Sequence, residues 1–461
     1  MKGGQHMRNA ILLVGACLAL SGAPVIADES TREQRATSTL DAVLAGDGET
    51  ATAHFSDTMK AALPPPRIAG IVGALTQQVG APSGRGDFRH GCEAGRHATW
   101  QRIDFERAAL DAKLVFDEED RVAGLFFVPP QEASPCASGP DTAPLSGRPD
   151  AEDDDRERRV TIGGDAWPLP AILTLPEGDG PFPAVVLVHG SGPHDADETI
   201  FASKPFRDLA RGLADRGVAS LRYVKRSKAH GTRMLAETPG FGIDQEVTDD
   251  AVGAMAWLAG QARIDSDRVF VVGHSLGAMM GPRICQRSAS CAGMVLLAAP
   301  SRPLEDLVVE QVRHIGPDQG MDSDMLAAIE QQADNVRRLR RGEPVEGPLL
   351  LGLSEAYWSS LSDYSALDVA RDADRPALVL QGERDYQVTM LDFSAWRELA
   401  ARHPGLTLKS YPSLDHLFMS GEGPSTPRDY MEPRHVDDRV TTDIAEWIHH
   451  QAAANIGGKQ P

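Results

Sequence analysis

A chain of 461 residues is longer than one hydrophobic core usually fills, which predicts two domains, and 41% apolar with 24% charged residues argues against wholesale disorder. The formal net charge of -20 argues against nucleic acid as a partner, because a phosphate backbone requires a basic footprint. It fits a soluble protein that handles neutral or cationic small molecules.

The first segment predicts an export signal over residues 1–27. Lys2 and Arg8 precede the apolar run Ala10 to Leu20, and Val25-Ile26-Ala27 offers small residues for cleavage. A lipoprotein reading through Cys17, after Val14-Gly15-Ala16, is the alternative address. The run is short for a membrane span and none like it follows, so the mature chain is expected to be periplasmic or secreted, without stable membrane insertion. Residues 30–130 predict a small α+β domain of unassigned role: a helix from Arg32 to Leu44, strands at 97–100, 112–116 and 122–128, and a polar turn at Asp117 to Asp120. Between Pro129 and Arg158 the composition turns to Pro, Ser, Gly and acidic residues, which predicts a linker over 131–158.

From 159 to 456 the pattern changes. The continuous apolar run Ala184 to Val188 predicts a strand covered on both faces, Arg268 to Val272 predicts another buried strand, and helical periodicity separates them. Their alternation predicts an α/β fold, a doubly wound and mostly parallel sheet. Around 301–370 the alternation gives way to charge-rich helical segments, which predict a helical cap over the C-terminal edge of the sheet. Once the leader is removed four cysteines remain. Cys285 and Cys291 are spaced to bridge a helix end to the next strand, Cys92 and Cys136 can tie the N-terminal domain to the linker, and four free thiols are the alternative.

Chemistry concentrates in four turns. In Gly273-His274-Ser275-Leu276-Gly277 an apolar strand enters and a helix leaves, so the turn is tight and Ser275 is left exposed above the sheet as a nucleophile. A serine hydroxyl needs a base, and the base needs a carboxylate to hold its tautomer. Asp385 follows the apolar strand 377–380 at a Gly turn and fits the acid, with Glu383 as competitor. His416 lies in a loop after the strand 406–411 and fits the base. Asp415, adjacent to that imidazole, cannot readily face it. Oxyanion donors are expected from the N–H of Leu276 and from the turn His189-Gly190-Ser191-Gly192-Pro193, most directly the N–H of Ser191. The acidic residues Asp195, Asp197 and Glu198 either hold a cation or attract a cationic substrate, or they cap a helix or brace a loop against Arg or Lys.

Taken in order, the turn 189–193, the pentapeptide 273–277, Gly382 to Val388 and Leu414 to Phe418 resemble the α/β-hydrolase superfamily, within it a bacterial carboxylesterase-like group that carries a small N-terminal domain. The resemblance implies a Ser275–His416–Asp385 triad, ester hydrolysis of a small-molecule substrate, and no metal or organic cofactor. One departure stands in Arg222-Tyr223-Val224-Lys225-Arg226, where such proteins often have aspartate in place of Val224; this puts contacts of the following loop in question. Two rivals remain at this level: an aminopeptidase or amidase with the same triad, for which the acidic cluster is the hint, and a non-catalytic binding protein on a hydrolase scaffold. Nothing in the residues sets the oligomeric state.

Overall fold

A computed structural model describes residues 29–457, apart from 94–95, 118, 129, 131–153, 239, 317–320, 322 and 374. The expected export signal and nearly all of the expected linker therefore lie outside the described residues. The chain divides into two compact units.

The first unit is a four-stranded antiparallel meander with helices before it: β1 (Pro82–Glu93), β2 (Arg96–Phe105), β3 (Ala109–Phe116) and β4 (Val122–Val128), in that spatial order. The helix Glu29–Leu44 buries Ala36, Leu40 and Val43 on one face, the i, i+4, i+7 spacing of an amphipathic helix. Arg32 and Asp120, both almost wholly buried, pair at 2.6 Å. The sequence gives no sign of β1, because its Gly-rich, charged residues lack the apolar alternation of a half-buried strand.

The second unit is built on an eight-stranded sheet. Its strands are β5 (Glu157–Ile162), β6 (Leu169–Thr174), β7 (Phe182–Val188), β8 (Ala219–Tyr223), β9 (Ile264–His274), β10 (Cys291–Leu297), β11 (Ala377–Gly382) and β12 (Leu406–Tyr411). The spatial order is β12-β11-β10-β9-β7-β8-β6-β5. Neighbours from β12 to β8 run parallel, and β6 is antiparallel to both β8 and β5. The fold is thus α/β with a mixed, mostly parallel sheet, as expected. The β5–β6 hairpin was not anticipated, and β5 starts two residues before the expected catalytic boundary at 159.

The apolar runs are explained by two cores. In β7, Val185 and Leu187 pack on one face with Phe206, Leu209 and Leu213 of the helix Pro205–Ala214 and Val440, Ile444 and Ile448 of the helix Asp438–Gly457. Ala184, Val186 and Val188 pack on the other face with Met255 and Leu258 of the helix Asp249–Ala259, Met280 and Ile284 of the helix Leu276–Arg287, and Trp396 of the helix Met390–Ala400. Side chains alternate between faces, so a strand buried on both must be apolar throughout. At the rims this ceases. β5 exposes Arg158, Arg159 and Thr161, and β12 exposes Thr407 and Lys409.

After β10 come the helices Leu304–Ile315, Ser323–Arg340 and Glu355–Ser359, in the segment expected to form the cap. Its root is clamped by Asp392, which is fully buried. Its Oδ1 accepts the Ser301 N–H at 2.9 Å, and its Oδ2 accepts an Arg302 guanidinium N–H at 2.7 Å. The disulfide Cys285–Cys291 joins the end of the helix Leu276–Arg287 to the start of β10, as the spacing predicts. Cys92 is disulfide-bonded, and Cys136 lies outside the described residues.

Candidate active site

Ser275 sits between β9 and the helix Leu276–Arg287 with φ 53° and ψ -116°, a left-handed backbone that a non-glycine residue adopts only when its surroundings impose it. The flanking glycines explain how. A Cβ on Gly273 would stand 2.3 Å from the Gly277 carbonyl oxygen, and one on Gly277 would stand 2.1 Å from the Val188 carbonyl oxygen, so no other residue fits either position. The elbow is therefore wedged against the end of β7. Leu276 opens the helix, so its N–H belongs to the unpaired first turn at the positive end of the helix dipole.

Asp385 lies just past β11 and His416 in the loop after β12. The structure brings them together: His416 Nδ1 is 2.7 Å from Asp385 Oδ2, and both side chains are buried. The other carboxylate oxygen accepts the N–H groups of Gln387 at 2.7 Å and Val388 at 2.9 Å. Gln381 Nε2 also donates to Asp385 Oδ2 at 3.2 Å. A carboxylate so bonded cannot turn away from the imidazole. The competing acids are engaged elsewhere. Glu383 accepts from the Ser410 hydroxyl at 2.8 Å, and Asp415 accepts the N–H groups of Leu417 and Met419 and pairs with Arg434 at 2.7 Å.

The turn after β7 comes up to the elbow: a Cβ on Gly190 would be 3.2 Å from Ser275 Cβ. Gly190 donates its N–H to Glu198 Oε1 at 2.6 Å, and its carbonyl accepts from Lys225 Nζ at 2.7 Å. His194 Nε2 is 2.6 Å from the Ser191 carbonyl. Among the described residues nothing accepts the Ser191 N–H, and Ser191 itself is exposed. His189, the first residue of the turn, is packed against Phe206 and Tyr223; burial pushes it down to about 3, so it is a neutral core histidine.

His274 connects these pieces. Its Nε2 is 3.0 Å from the His416 carbonyl oxygen, its ring centroid is 4.6 Å from that of His416, and its Nδ1 makes an ion-pair contact with Glu198 Oε2 at 3.0 Å. Burial opposes charge on His274, but the Glu198 carboxylate outweighs it and the imidazole is held above its ordinary range. Glu198 is correspondingly held low by His274, against its own burial.

The acidic cluster resolves as bracing. Asp197 pairs with buried Arg222 at 2.9 Å, and Asp195 accepts from the N–H and hydroxyl of Thr199 at 2.9 and 2.7 Å. The altered stretch 222–226 is likewise structural in part, since Arg226 pairs with Asp250 and Arg222 also reaches Glu157 at 3.0 Å. His274 and Lys225 had no assigned chemistry in the sequence, and Glu198 was read only as one of an acidic cluster. The available signal was ionisable residues beside apolar strand ends, where an unpaired charge is costly.

The α/β hydrolase family model matches residues 185–431, more than half of the chain. The chain belongs to the α/β hydrolase family. A relative in this family, esterase EstD of Thermotoga maritima, is 37% identical over 349 residues, which are 75% of this chain and 78% of that protein. Among solved structures, Est1E of Butyrivibrio proteoclasticus, solved with ferulic acid bound, matches 64% of this chain and 99% of its own at 16% identity, with a TM-score of 0.43. An esterase of Pyrobaculum calidifontis matches 65% and 86% at 19% identity, with a TM-score of 0.40.

Proposed function

We propose that the protein is an exported serine hydrolase that cleaves small carboxylic esters through an acyl-enzyme. Ser275 attacks the ester carbonyl while His416 takes its proton; Asp385 holds the imidazole tautomer and stabilises the imidazolium that forms. The N–H groups of Leu276 and Ser191 receive the oxyanion. His416 then protonates the departing alcohol, activates water, and the acid leaves with Ser275 restored. The observation that carries this reading is the buried His416–Asp385 pair, which fixes a base whose loop is tied to the nucleophile elbow through His274. The esterase named among the relatives supports an ester substrate. Residues 1–27 are read as the export leader, and the Cys285–Cys291 disulfide fits an oxidising compartment. The acidic residues that hinted at a free-amine site are engaged in bracing, so no observation favours the amide-cleaving rival.

The test is a panel of p-nitrophenyl esters and aminoacyl anilides on wild type and Ser275→Ala. Ester turnover should exceed anilide turnover and fall about 10⁴-fold or more in the variant. Ester turnover that survives the substitution, or faster anilide turnover, would overturn the proposal.

A further inference from the structure

Lys225 lies two residues after the end of β8 and is 2% exposed, so its ammonium does not face solvent. It donates to the Gly190 carbonyl at 2.7 Å and pairs with Glu246 at 2.8 Å. Glu246 is itself buried, and its second oxygen accepts from the Tyr357 hydroxyl at 2.7 Å. Burial alone would raise the Glu246 carboxyl, but the Lys225 charge holds it below the ordinary range, so the couple is ionic. Tyr357 belongs to the cap helix Glu355–Ser359. A single chain of contacts therefore runs from the cap to the turn beside the nucleophile.

What that chain grips is one peptide unit. In a trans peptide the C=O and the following N–H point in opposite directions, and the Gly190–Ser191 bond is trans. A cation on the Gly190 carbonyl thus fixes the direction of the Ser191 N–H and polarises it as a donor. The neighbouring groups are fixed as well. Gly190 N–H is held by Glu198, and the Ser191 carbonyl faces His194, so the Ser191 N–H is the polar group of this pair left open.

We propose that Lys225 is a positioning residue for oxyanion stabilisation: anchored by Glu246 and the cap residue Tyr357, it orients the Gly190–Ser191 peptide so that the Ser191 N–H is held ready for the developing negative charge. The inference rests on the ester-hydrolysis reading above and extends it, because it makes the competence of the oxyanion turn depend on a cap residue. A lysine that merely balances a buried glutamate would matter for folding. A lysine that aims a donor matters in the transition state, where only interactions stronger than in the ground state raise kcat.

The experiment compares wild type, Lys225→Met, Lys225→Met/Glu246→Gln and Tyr357→Phe, with Ser275→Ala as control. For each variant, the melting temperature and the fraction labelled by a fluorophosphonate report folding. Then kcat and KM on p-nitrophenyl butyrate are measured with the inhibition constant of an aryl trifluoromethyl ketone, whose serine adduct places an oxyanion in the same hole. Lys225→Met should lower kcat about 10- to 100-fold with KM within about twofold, less than the loss of a direct donor, and should weaken the ketone by the same factor. The double variant should recover melting temperature but not kcat, and Tyr357→Phe should show a smaller loss in the same two readouts. The idea is overturned if folded Lys225→Met or the double variant keeps its kcat, or if kcat falls while ketone affinity stays. Should neither fold, unchanged kcat and ketone affinity in Tyr357→Phe would overturn it equally. Ester turnover persisting in Ser275→Ala would instead sink the underlying reading, whatever Lys225 does.

Discussion

His274 Nε2 is hydrogen-bonded to the His416 carbonyl, while its Nδ1 lies 3.0 Å from the Glu198 carboxylate, a contact that is an ion pair when the imidazole is protonated. The linkage has a definite sign on each side. Glu198 is depressed from 4.5, so its contribution to stability is complete above that pH and is lost as pH falls toward its folded value. His274 is raised from 6.5, so its contribution is complete below that pH and is lost as pH rises through its folded value. The pair should therefore stabilise most between about pH 4.5 and 6.5. Thermal melts of wild type and Glu198→Gln across the pH range check this: the gap should be widest in that window and narrow on both sides. A gap that stays constant into alkali would mean His274 is not the charged partner. At this scale Ser275, Asp385 and His416 could be picked out of the sequence as candidates because each follows a strand in the chain order that this fold uses, and the structure brings Asp385 and His416 together. Glu198 and Lys225 stand 8 and 35 residues from Gly190, and nothing in a linear text says that both converge on one glycine.

The helical segment 301–370 and the loop that carries Asp385 are held together by several contacts between elements. Gln311 donates to the Gln387 carbonyl at 3.0 Å, His314 stacks on Tyr386 at 4.8 Å, and Asp392 clamps the start of the segment at Ser301 and Arg302. Replacing Asp392 by alanine leaves the Ser301 N–H and the Arg302 guanidinium without their acceptor, which should cost about 2 kcal/mol. Because the lesion sits at the root, limited proteolysis should cut first within 301–370, before the sheet is attacked. Simultaneous loss of all fragments would show that the cap does not open separately. The central strands were legible because burial on both faces demands unbroken apolar runs. β1 and β5 were not, since strands carrying glycine and charge look like loop until their partners are known. The π-helical turn Asp244–Thr248 that leads into the helix Asp249–Ala259 carries Glu246, and no local pattern announces it.

At the scale of the molecule, the chain divides into two compact units. The larger unit ends in strands whose side chains suit water. Arg158 and Arg159 line β5 at one rim, and Lys409 is exposed on β12 at the other. Charged edge strands discourage pairing with another chain. Arg158→Val/Arg159→Val should leave the fold and ester turnover near wild type at low concentration but produce concentration-dependent aggregates, visible by light scattering and thioflavin fluorescence. A variant that stays monodisperse would show that the rim is protected by something other than charge. A sheet whose two margins repel further strands has its width written into its own borders, and so needs no outside agent to stop it growing.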